Sequence, residues 1–89
     1  MRFQITAAVR GSMDMDTHDT DSLDTALRMF DCFTIGAESV AIYDRVMLCE
    51  MMDGERHMVE EYRRWEKDLR RLPRFNALLA EHYPEAHRF

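Results

Sequence analysis

Residues 58–72 read MVEEYRRWEKDLRRL, and the fold turns on whether this stretch is a helix. Its large apolar residues, Met58, Tyr62, Trp65, Leu69 and Leu72, recur at spacings of 4, 3, 4 and 3. At about 100° per residue they gather within an arc of roughly 80°, one face of an amphipathic helix. That arc carries the single Trp of the chain, so Trp65 is expected to lie inward against a small sheet. Just upstream, Asp53-Gly54 has two readings. It is a competent N-cap for a helix starting near Glu55, or a type I′ turn opening a further short strand through His57 or Val59. The helix is preferred, because Met58 already belongs to the stripe. Pro73 has no N–H and disfavours helical geometry in the residue before it, so this helix ends at Leu72. Pro73 can itself open a short third helix, with Phe75, Leu78, Leu79 and His82 at helical spacing and an end before Pro84.

The remaining chain is expected to supply the sheet and one more helix. Residues Arg2 to Arg10 alternate, with Phe3, Ile5, Ala7 and Val9 on one side, as a half-buried strand does. Gly11 and Ser12 end it, and Met13 to Thr20 reads as an acidic loop without periodicity. Thr20 or Asp21 can cap a helix from about Ser22 to Phe33, closed by Gly36, with Leu23, Ala26, Leu27, Phe30 and Phe33 as its stripe. Glu38–Tyr43 and Val46–Met52 then read as a hairpin turning at Asp44-Arg45. Its register sorts Val40, Ile42, Met47, Cys49 and Met51 to the core and Ala41, Tyr43, Val46 and Leu48 to the outer face. An outer face that apolar offers a homodimer surface through Tyr43, Val46 and Leu48. The expected fold is α+β, a three-stranded mixed sheet in the order strand-helix-strand-strand-helix-helix with all helices on one face. A right-handed crossover makes its first two strands parallel. Residues 1–84 form this single domain and 85–89 a C-terminal tail.

A chain of 89 residues with 46% hydrophobic and 33% charged residues is globular in composition. At this size it buries only about 60–65% of its unfolded surface, which excludes large enzymes. No apolar run reaches the roughly 18 residues of a membrane span, and Met1 to Arg10 lacks the pattern of a signal peptide, so a cytoplasmic location is expected. Cys32 and Cys49, each in an apolar-patterned segment, suit free thiols in a reducing compartment.

The net charge of −5 is unevenly spread. Between Met13 and Asp31 stand Asp14, Asp16, Asp19, Asp21, Asp24 and Asp31 against Arg28 alone. Between Arg56 and Arg74 stand six Arg and one Lys against Glu60, Glu61, Glu66 and Asp68. On the expected helix, Arg56, Arg63, Lys67, Arg70 and Arg74 share an arc of about 60°, a surface that could track phosphates. Glu60 with Arg64 and Glu66 with Arg70 are equally well placed for i,i+4 pairs, which gives a solvated, salt-bridged face instead.

Dedicated chemistry is not visible. The aspartates fail the EF-hand pattern, since Asp19 occupies the position that needs Gly and Thr25 the position of the bidentate Glu. His18, His57, His82 and His87 lack zinc-ligand spacing with a Cys pair, and no nucleophile motif or phosphate-cradling glycine loop is present. No metal, cofactor or enzymatic activity is therefore expected. Closely spaced carboxylates at Asp14, Asp16, Asp19, Asp21 and Asp24 can instead imitate a phosphate backbone and fill a basic groove on a nucleic-acid-handling protein.

In size, plan and charge the chain resembles the small acidic proteins of phages and mobile elements, anti-CRISPR inhibitors among them. The resemblance carries no shared motif and transfers no residue. It implies a non-enzymatic inhibitor that binds a host nucleic-acid-binding complex and blocks its access to DNA. Two other expectations stand beside it: a nucleic-acid-binding regulator using the arginine-rich helix, and a homodimeric interaction module.

Overall fold

The computed structural model describes residues 2–40 and 42–84, which form β1 (Phe3–Val9), β2 (Met15–Thr20), α1 (Leu23–Ser39), β3 (Tyr43–Met52), β4 (Glu55–Arg63), β5 (Asp68–Arg71) and α2 (Pro73–His82). The strands make one sheet in the order β2-β1-β3-β4-β5, and each neighbouring pair is antiparallel. The fold is thus α+β with a five-stranded antiparallel sheet and two helices. The expected three-stranded sheet with three helices is corrected at three places.

The first is residues 58–72, which form a hairpin. Asp53 (φ 52°) and Gly54 (φ 79°) both adopt left-handed backbone, the geometry of a type I′ turn, so β4 leaves the turn antiparallel to β3. A second turn over residues 64–67 leads into β5. Two features give this hairpin spacings that are also helical. Tyr62 and Leu69, seven apart in sequence, are cross-strand partners. A register shift sets Leu48 opposite Glu60 but Cys49 opposite Met58; this bulge leaves Val59 unpaired and changes the alternation, so that Val59 and Tyr62, three residues apart, both enter the core. Trp65, expected inward, stands in the turn and is 58% exposed.

The second place is Met15–Thr20, which is an exposed edge strand rather than a loop. It contains no Val, Ile, Phe, Tyr or Trp, and its two Asp and two Thr residues suit a sheet edge guarded by charge. Because β2 intervenes before α1, the chain re-enters the sheet on the far side of β1, and β1 and β3 pair antiparallel. The third place is the Glu38–Tyr43 strand, expected parallel to β1: residues 38–39 instead end α1, and Asp44-Arg45, expected as a hairpin turn, lies inside the single strand β3.

Both helices cover one face. Helix α1 is capped by Ser22, whose Oγ accepts from Thr25 N at 3.2 Å. It continues past Phe33 and through Gly36, where an added Cβ would stand 3.5 Å from the Tyr43 ring. Leu23, Ala26, Phe30 and Ala37 meet Phe3, Ile5 and Ala7 of β1 and Val46 and Leu48 of β3 in the core. Helix α2 starts at Pro73, as the sequence indicated, and adds Phe75 and Leu78.

This arrangement inverts the expected faces of β3. Val46 and Leu48 are fully buried, and Tyr43 is half-buried against Phe33 with ring centroids 5.2 Å apart, so these three offer no dimer surface. Met47, Cys49 and Met51 lie on the face without helices, by register with Glu61, Met58 and Arg56 of β4. Val40 and Ile42 are exposed. Ala41, His87 and the expected tail 85–89 lie outside the described residues.

Candidate functional site

The five carboxylates singled out in the sequence gather on one rim of the sheet. Asp14 ends the β1–β2 connection, Asp16 and Asp19 stand on β2, Asp21 precedes the cap of α1 and Asp24 sits in its first turn. All five are exposed. Alternation divides the strand: Asp16 and His18 lie on the side of α1, opposite Ala7 and Ile5, whereas Asp19 lies on the open face opposite Gln4.

Asp16 and Asp19 each accept from an uncharged side chain. Tyr43 donates its hydroxyl to Asp16 Oδ2 at 2.8 Å, and this hydrogen bond, with burial second, raises the phenol above its ordinary value. Gln4 donates to Asp19 Oδ1 at 3.2 Å. Asp24 is paired with Arg28 one turn along at 3.0 Å and accepts from Tyr83 at 3.3 Å. A small aromatic cluster holds the rim in place, with His18 5.3 Å from Phe33 and Phe33 edge-on to Tyr43.

The basic set is distributed differently from the expected helix face. Arg56 and Arg63 are on β4, Lys67 is in the β4–β5 turn at φ 50°, Arg70 is on β5 and Arg74 on α2. Arg56, Arg63 and Arg70 fall on the open face, and Arg74 on the helix side. The i,i+4 pairs do not form, and most of the guanidinium groups turn to carboxylates from other strands.

Three of those carboxylates are buried, and sequence reasoning missed all three. Glu61, wholly buried, is gripped by Arg45 and lies 2.9 Å from Arg63 Nε, with Arg70 at 3.9 Å. It thereby separates Arg45 from Arg63, which the register sets directly opposite each other. Glu60, on the helix side, accepts from Arg71 Nε at 3.2 Å; burial raises its carboxyl, and Arg71 opposes the rise. Arg71 also stacks on Phe75, 4.7 Å from the ring centroid. Glu50 accepts from Arg74 and Arg2, which together hold its carboxyl below the ordinary range against the opposing effect of burial. Parity was the available signal: Val46, Leu48 and Glu50 alternate onto one face, so placing Leu48 in the core places Glu50 beside it.

The two charged regions therefore differ in kind. The arginines are largely consumed within the fold, while Asp14, Asp16 and Asp19 face water beside neutral donors. Among the described residues no group of three or more His, Cys, Asp or Glu side chains is arranged to hold a metal ion, and no helix is long and apolar enough to cross a membrane. Both Cys32, exposed on α1, and Cys49, buried on β3, are free thiols. Compared with known protein families, curated proteins and solved structures, the chain matches none.

Proposed function

We propose that this protein is a non-enzymatic binding module whose acidic rim occupies a basic, nucleic-acid-binding surface of a partner protein, as its resemblance to anti-CRISPR inhibitors implies. The observation that supports this reading is the contrast in neutralisation. Residues 2–40 contain seven carboxylates and three arginines, and Asp14, Asp16 and Asp19 are exposed on or beside an edge strand with Tyr43 and Gln4 as their donors. Fixed, unpaired negative charge on a rigid strand steers a basic partner over long range and docks with little reorganisation.

The arginine-based reading has less support, because Arg63, Arg70 and Arg74 engage Glu61, Glu50 and Glu81. A phosphate backbone would have to displace those carboxylates.

The test is affinity capture from a bacterial lysate on the immobilised protein, followed by elution with double-stranded DNA. The double variant Asp14→Lys/Asp19→Lys leaves the Asp16–Tyr43 bond intact. The expected result is that DNA elutes nucleic-acid-binding proteins from the wild type and that the variant, with an unchanged thermal midpoint, loses them. Equal capture by both would overturn the assignment.

A further inference from the structure

Strand β4 is longer than the strand that covers it. Its residues Glu60 to Arg63 pair with β5, Leu72 N donates to Val59 O at 3.0 Å, and then Pro73 turns the chain away into α2. Residues Glu55 to Met58 pair with β3 on one side and with no strand of the described residues on the other. In a hairpin closed by a two-residue turn, Met52 and Glu55 exchange both backbone bonds, and so do Glu50 and His57. By that alternation Arg56 and Met58 direct their N–H and C=O groups outward, away from β3.

Beside this free edge lies a groove of about 510 Å³ lined by Met52, Arg56, His57, Met58, Leu72 and Pro73, with Glu50 and Arg74 as its floor. The floor is fixed, since Arg74 reaches Glu50 through Nε at 2.8 Å and Nη2 at 3.0 Å. Arg56 is not fixed in this way. It is exposed, and its hydrogen-bond partner is the neutral Gln4 Oε1 at 3.4 Å. An unpaired backbone edge, an apolar wall and an exposed guanidinium describe what fills the groove.

We infer that an extended peptide segment of a partner adds to β4 as a sixth strand, antiparallel, along the track that β5 leaves at Pro73. Such addition draws affinity from main-chain bonds and selectivity from alternate side chains. Peptide residues opposite Arg56 and Met58 share the open face with them and are acidic, meeting the guanidinium. The intervening residues turn toward Leu72 and Pro73 and are apolar. This site is independent of the acidic rim, which lies at the opposite edge of the sheet.

The probe is an acetylated heptapeptide of alternating valine and aspartate, with the valine–lysine peptide as control. Binding is followed by NMR amide exchange on the full chain. The expected result is binding of the aspartate peptide alone, with exchange at the Arg56 and Met58 amides slowed by about tenfold or more, and Arg56→Glu weakening binding by about tenfold at an unchanged thermal midpoint. N-methylation of the aspartates, whose N–H groups face β4, abolishes binding, while N-methylation of the valines is tolerated. The proposal is overturned by absence of binding at millimolar peptide, by protection at β2 instead of β4, by equal binding of the lysine peptide, by an indifferent Arg56→Glu variant, or by equal effects of the two methylation patterns.

Discussion

Arg74 holds Glu50 with two nitrogens, Nε on Oε1 at 2.8 Å and Nη2 on Oε2 at 3.0 Å, and so fastens the first turn of α2 to the middle of the sheet. The carboxylate is 2% exposed. The same guanidinium reaches Glu81 at 2.9 Å, which ties the start of α2 to its last turn.

Removing one partner of a buried pair leaves the other charge desolvated. Arg74→Met is therefore expected to lower the unfolding free energy by about 3 kcal/mol, the lower end for buried pairs because Arg2 still reaches Glu50. Urea unfolding of the variant beside the wild type measures this. Glu50 also sets a pH dependence. Its folded carboxyl lies below the ordinary value, chiefly through Arg74, so its stabilisation is complete above the ordinary glutamate range and is lost as pH falls through the lowered folded value. Denaturation midpoints across the acid limb are expected to fall less steeply in Glu50→Gln than in the wild type.

The Asp53-Gly54 turn sets the direction of β4. At φ 79° Gly54 stands where an L-residue is strained, and an added Cβ there meets no atom within 4 Å. Gly54→Ala is expected to cost about 1 kcal/mol through the backbone alone. Thermal unfolding checks this, and a cost near zero would refute the turn geometry.

Leu48 lies in the core rather than on a surface. Leu48→Glu buries an unpaired charge and is expected to abolish cooperative unfolding, while Leu48→Ala costs about 2–5 kcal/mol. Circular dichroism melts check both. A folded Leu48→Glu protein with altered sedimentation would restore the dimer face.

Trp65 is expected to fluoresce as a solvated indole and to be quenched freely by acrylamide. Trp65→Ala is expected to change stability by no more than about 0.5 kcal/mol, as substitutions at exposed positions do. A blue-shifted, protected emission would contradict the hairpin.

Several elements were legible in the sequence because a local signal and the tertiary fold agreed. The alternation through Phe3, Ile5, Ala7 and Val9 gave β1, the stripe from Leu23 to Phe33 gave most of α1, and Pro73 marked the start of α2. The Asp53-Gly54 turn was recognised as one of two readings, then set aside for the periodicity of residues 58–72. That spacing did not mark one face: Met58 lies on the open face, Tyr62 in the core and Trp65 exposed in the turn. Strand β2 was not legible, since an edge strand needs no apolar residues. The five aspartates share one rim, as their spacing suggested; the fate of the arginines depended on buried glutamates whose partners are up to 48 residues away.

The charged margin formed by β2 has a second consequence. An unpaired strand is a template on which another copy of the same chain can lay its own, and successive additions of that kind grow into fibres. Asp16 and Asp19 make each such addition bring like charges together. Replacing both with Asn removes that repulsion without altering the strand, which ties the solubility of this chain to the carboxylates that give its rim a sign.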